Sequence, residues 1–156
     1  EWPDIAAALA TILEERVGEL PLDRPLRNVF AAPIRKPNGD WPNLIIHHLR
    51  SSTTHIDSCW REWQHSAQLI LICGPWGDDP ATMEALGTAY IDPLVRVLDA
   101  NQSLNGTCKH VEIDLDGARW QILSYGPSLP MQPAPQWYGL TLPIQIYGQS
   151  LRTRGA

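Results

Sequence analysis

The sequence predicts an α+β domain whose β-sheet is mostly antiparallel or mixed, with about two helices packed on one face. Three observations carry that expectation. Apolar residues recur at helical spacing near the N-terminus and again across residues 81–104, apolar and polar residues alternate through much of the remainder, and Pro, Gly, Asn and Asp separate the runs. In chain order these give a helix, three strands, a helix and three strands. At 156 residues the chain has the length of one domain. With 44% apolar and 19% charged residues it has the composition of a chain that buries a core, not of a disordered segment. No unit of about 20–50 residues repeats, which excludes solenoids and propellers.

The elements follow in order. Across residues 4–19, Ile5, Leu9, Ile12, Leu13 and Val17 share one helical face, with Glu14, Glu15 and Arg16 mostly on the other. Asp4 is placed to cap the first turn, and Gly18 suits the end. Residues 27–34 (RNVFAAPI) read as a short strand, and 35–42 (RKPNGDWP) as a turn or extended loop. Residues 43–50 (NLIIHHLR) form a second strand that is largely apolar on both faces, and 51–57 read as a polar turn. A long strand then spans residues 59–73, with Trp63, His65, Ala67, Leu69, Leu71 and Cys73 on one side, wet at its start and buried at its end.

The sequence GPWGDDP stops that strand, and Asp79-Pro80 is a good helix start. Met83, Leu86, Tyr90, Leu94, Val97 and Leu98 make a helical stripe that Pro93 interrupts, which predicts a kink or two helices, the second capped by Asp92. Residues 108–115 and 118–125 alternate on either side of Asp116-Gly117, the pattern of a tight hairpin. Residues 126–136 hold four prolines and read as a loop, and 137–147 (WYGLTLPIQIY) as a last strand in which Pro143 belongs at an edge or bulge. Residues 1–148 are thus expected to form the domain, and 149–156, with Arg152 and Arg154, a mobile basic tail.

Charge and composition narrow the function. Twelve basic and 17 acidic residues give a net charge of −5, a field that opposes close non-specific contact with phosphate backbones and argues against a sequence-reading DNA binder. The three widely spaced cysteines, Cys59, Cys73 and Cys108, make no disulfide framework and read as reduced small hydrophobes of a soluble, cytoplasmic, unprocessed product. The apolar runs are far shorter than the ~18 residues of a membrane span. His55 and Cys59 are the one weak pair at ligand spacing, and adjacent His47 and His48 point to opposite faces of a strand, so no metal or cofactor is expected. No nucleophile elbow, phosphate loop or dinucleotide fingerprint occurs. Asp78-Asp79 reads as a helix start and Asp114 with Asp116 as turn residues, so no catalytic residue is assigned and a non-enzyme is expected.

Aromatic residues with a polar handle stand out, seven Trp and four Tyr against one Phe. Trp41, Trp76, Trp137 and Tyr138 flank loops, where such a ring either closes over its own core or anchors a protein interface. Arg35 and Lys36 beside Trp41 suit an interface patch.

The layout resembles the tail terminator (tail completion) proteins of long-tailed bacteriophages. The resemblance is carried by the opening helix DIAAALATILEERV followed by RNVFAAPI, by IDPLVRVLDANQSLNGTCKHVEID, and by ARWQILSYG and the last strand WYGLTLPIQIYG with its early Tyr-Gly. It implies a structural virion protein: a ring, usually of six subunits, that caps the tail tube, halts polymerisation of the tube protein and docks the head-side connector. DNA would pass through its lumen without specific binding, and the protein would reside in the virion neck after assembly in the host cytoplasm. The RKPNGDWP loop with Trp41, the MQPAPQW loop with Trp137, and Arg152 and Arg154 become candidate contact surfaces. Another neck component, such as a head-closure or joining protein, is the alternative within that biology, and a small α+β enzyme or ligand-binding domain the alternative outside it.

Overall fold

The computed structural model describes residues 2–18, 26, 28–32, 42–55, 59–124 and 135–151. The expected α+β class is what the chain adopts. Helix α1 (Trp2–Gly18) leads to β1 (Asn28–Phe30), β2 (Asn43–His55) and β3 (Trp60–Pro75), then to α2 (Pro80–Thr88) and α3 (Ile91–Ala100), and finally to β4 (His110–Ile113), β5 (Arg119–Ser124) and β6 (Gln136–Leu151). The strands make one six-stranded sheet in the order β1-β2-β3-β6-β4, with β5 also on β6. Among the described strands only the β1–β2 pair is parallel.

The period-2 pattern decides which face of the sheet is covered. Leu44 and Ile46 of β2, Ala67, Leu69, Leu71 and Cys73 of β3, and Leu140, Leu142, Ile144 and Ile146 of β6 join Ile5, Leu9, Leu13, Met83, Leu94 and Leu98 of the helices in the main core. The three described helices therefore lie on one face, and each fully buried Leu or Ile contributes about 1.5–3 kcal/mol of transfer free energy. The opposite face is divided. One end holds a small cluster, Ile45, Ile70 and Ile72, under Phe30, Leu123 and Trp137. Further along, Gln145 Oε1 accepts from Gln64 Nε2 at 2.6 Å and from Ser66 Oγ at 2.8 Å.

Helix boundaries differ slightly from the periodic pattern. Helix α1 starts two residues early, so Asp4 sits in its first turn instead of capping it. Asp79 does cap α2, its carboxylate accepting from Ala81 N and Thr82 Oγ1. Of the two outcomes expected at Pro93 the chain takes the second, but the break falls at Ala89 and Tyr90. Asp92 and Pro93 then lie inside the first turn of α3, where a missing N–H costs nothing.

Three strand expectations are corrected. Residues 51–55 continue β2, because β3 is long enough to pair with them from Ser51–His65 to His55–Arg61. Residues 149–151 belong to β6 and pair with Trp60, Arg61 and Glu62, so the strand runs past the expected domain end at 148. Above all, Asp116-Gly117 closes no hairpin. β4 and β5 do not pair with each other; both run antiparallel to β6 along the same edge, β4 against Ile144–Tyr147 and β5 against residues 136–141.

Pro143 supplies the physical reason. It lies inside β6, paired with Gln68 of β3 on one side and facing the gap between β4 and β5 on the other, where its carbonyl accepts from Asp114 N at 2.9 Å and its own N–H is missing. The neighbouring edge strand loops out at that gap through residues 114–118. There Asp114 Oδ1 accepts from Gly117 N at 3.1 Å, and a Cβ at Gly117 would lie 2.9 Å from the Pro143 ring.

The thiols follow from the packing. Burial pushes the Cys73 thiol up to about 12 and that of Cys108 to about 11, whereas Cys59 is exposed. A thiol reagent at pH 8 is expected to modify Cys59 rapidly and the other two only on unfolding. Fast modification of all three thiols in the native protein would contradict this packing.

Candidate interaction surface

Of the eight side chains singled out in the sequence, Arg35, Lys36, Trp41, Arg152 and Arg154 lie outside the described residues. The other three are placed by the ends of β3 and β6. β3 ends at Pro75, Trp76 N donates to Gln136 O at 2.9 Å, and Gly77 turns the chain at φ 126°, a conformation that favours glycine. This turn leaves the Trp76 ring 41% exposed.

Trp76 and Tyr138 meet with ring centroids 5.1 Å apart, and Tyr138 stacks on Trp120 at 5.2 Å and 26°. Trp120 lies in turn over Gly87 of α2, where even a Cβ would collide with its ring. Ile122 stands opposite Tyr138 in register and is 48% exposed. The four residues form a patch whose inner half, Trp120 and Tyr138, packs against the main core and whose outer half, Trp76 and Ile122, faces solvent.

Trp137 is not part of it. Successive strand residues point to opposite faces, so Trp137 covers Ile45, Ile70 and Ile72 on the far side of the sheet. Of the two readings open for a loop-flanking Trp, Trp137 takes the first, closing over its own sheet, and Trp76 leaves the second open. Trp120 and Ile122 were missed in the sequence, although their alternation in ARWQILSYG is legible; which strand carried them to Tyr138 was not.

The patch has one polar anchor. Tyr138 OH donates to Glu84 Oε1 at 2.8 Å, and this bond, with burial and the carboxylate charge adding to it, raises the phenol above its ordinary pKa of 10.0. A raised folded-state pKa favours the protonated phenol, so its contribution to stability is complete below the ordinary tyrosine value and disappears as the pH rises through the folded one. Tyr138→Phe is expected to cost about 1 kcal/mol at neutral pH. In urea titrations the difference from wild type should close in the alkaline range; a difference that persists there would show that packing, not the hydrogen bond, is lost.

A second cluster sits at the start of α1. The Trp2 ring stacks on His48 at 4.4 Å and 22°, and Ser51 Oγ lies 2.9 Å from His48 Nε2 and 2.6 Å from His65 Nδ1. It ties α1 to β2 and β3. Among the described residues no group of three or more His, Cys, Asp or Glu side chains could hold a metal ion, and no helix is long and apolar enough to cross a membrane.

In comparisons with known proteins, no family model matches the chain and no curated protein matches it.

Proposed function

We propose that this chain is a structural virion protein, a tail terminator that assembles as a ring on the end of a phage tail tube. The observation that carries the reading is the Trp76–Ile122 patch: two exposed apolar side chains held on a rigid backing of Trp120, Tyr138 and Glu84. Anchors of this kind, fixed before contact, lose little entropy on docking. The resemblance of the helix and strand sequences to the terminator family gives the patch its partner, the last ring of tube protein.

In this reading the chain acts by recognition and performs no catalysis. One face of the ring matches the exposed end of the tube and the other does not, so no further tube subunit can add, and that second face meets the head-side connector. The net charge of −5 suits a lumen through which DNA slides without being held.

The test is polymerisation of the cognate tube protein with and without this chain. Wild-type protein should stop growth at substoichiometric ratio. Trp76→Ala combined with Ile122→Ser should lose capping while changing the unfolding free energy by less than about 1.5 kcal/mol, since both side chains are already partly in water. Tubes of unaltered length in the presence of wild-type protein, or tails of normal length in a phage lacking the gene, would refute the assignment.

A further inference from the structure

Among the described residues the sheet has two edges without a strand partner, and they are related in a way that a head-to-tail assembly can use. On one side, β1 covers only Asn43, Leu44 and Ile45 of β2, and among the described residues no strand pairs with the outer side of residues 46–55. On the other side, β4 and β5 have β6 as their only described partner. A ten-residue edge with unmatched N–H and C=O groups is normally blunted by Lys, Pro or inward charges. Residues 46–55 (IHHLRSSTTH) carry no Lys, Pro or carboxylate, only Arg50 and a bulge between His48 and Arg50.

Direction and level match. β2 and β6 run the same way, and β4 runs opposite to both, so the outer edge of β2 from one copy would meet β4 of another as an antiparallel pair. The pairing register then links the two edges residue by residue. Arg50 is opposite Ser66, Ser66 opposite Gln145, and Gln145 opposite Glu112. Arg50 and Glu112 thus end the same cross-strand row on opposite sides of the sheet. Joined in register, the Arg50 of each copy lies across from the Glu112 of the next, and Asp114 and Asp116 follow beyond it.

Glu112 Oε1 lies 3.5 Å from His110 Nε2, and both side chains are well exposed. Beside β4, an open groove of about 680 Å³ against α3 is lined in part by apolar residues, Val95, Val111, Ile113 and Leu115, and in part by polar ones, Asp99 and Gln102 among them. It offers apolar surface to Leu49, which stands at the bulge 52% exposed.

We infer that the free edge of β2, centred on Arg50, docks on β4 at Glu112 of a second copy of this chain, joining the subunits into one continuous sheet. Because different surfaces of the two copies meet, the contact is head-to-tail, which excludes a two-fold dimer and builds a ring when the rotation from one subunit to the next closes. The inference rests on the ring reading above and supplies its subunit contact.

Sedimentation of the full chain, followed by cross-linking, tests it. In a Cys59→Ser background, Arg50→Cys with Glu112→Cys and a short bis-maleimide should give a ladder of covalent species ending at the ring number, while either single substitution gives at most dimers. Arg50→Glu should raise the concentration needed for ring formation by about tenfold, and Arg50→Glu with Glu112→Arg should restore it. A ring in sedimentation without a ladder, and with no effect of the charge reversal, would overturn this contact and leave the ring standing. A monomer at all concentrations, alone and with tube protein, would overturn both.

Discussion

Gly148→Val is expected to destabilise the protein by about 2–3 kcal/mol, because the position has no room even for a methyl group. Gly148 pairs directly with Trp63 across β3 and β6, and the indole lies flat against it, so a Cβ would collide with three atoms of the ring. The ring cannot step aside freely, since it packs against the main core and the His65 imidazole 5.0 Å away. The cause is separable by a double-mutant cycle. In a Trp63→Ala background the same substitution should cost less than about 1 kcal/mol, a coupling that remote sites do not show. Equal costs in the two backgrounds, measured by urea unfolding, would mean that Gly148 is needed for its backbone and not for the ring.

Leu142→Ala should cost more, about 3–5 kcal/mol, with a fall in Tm of roughly 10 °C for a chain of this size. Leu142 is fully buried in β6, opposite Leu69 of β3. It lies one residue from Pro143, where the edge strand loops away. Backbone hydrogen bonds hold the sheet rigid on the β3 side, so the cavity left by truncation has little means of collapse. The urea midpoint should drop with an unchanged m-value. A loss below about 1.5 kcal/mol would show that the helical layer settles into the space.

The period of the apolar residues made much of the fold legible. Odd-numbered residues from Trp63 to Cys73 share the helix-covered face as the alternation requires, and Asp79-Pro80 starts α2 as its capping chemistry requires. Partner choice was not legible. Asp116-Gly117 is a strong local turn signal, yet a hairpin forms only if its two strands find nothing better. β6, at 16 residues, has an edge long enough for both β4 and β5. The missing N–H of Pro143 then fixes where that edge strand must break.

The interaction surface divides in the same way. That Trp76 and Tyr138 were surface-prone aromatics could be read from their neighbours. That Tyr138 joins Trp76, Trp120 and Ile122 while Trp137 turns to the other face needed the register of β5 on β6. Arg50 and Glu112 carried no signal at all in the sequence, since charges within a strand read as solvated side chains; three consecutive strand pairings put them on one row.

What the sequence by itself determined is the α+β class, the identity of the core residues and the acidic, aromatic-rich surface, because periodicity, composition and capping act over a few neighbouring residues. What only the tertiary structure decided is which strands adjoin and therefore which exposed side chains act together. Strand pairing is a competition among distant segments for the same backbone hydrogen bonds, and its outcome depends on the length and gaps of every competing edge at once.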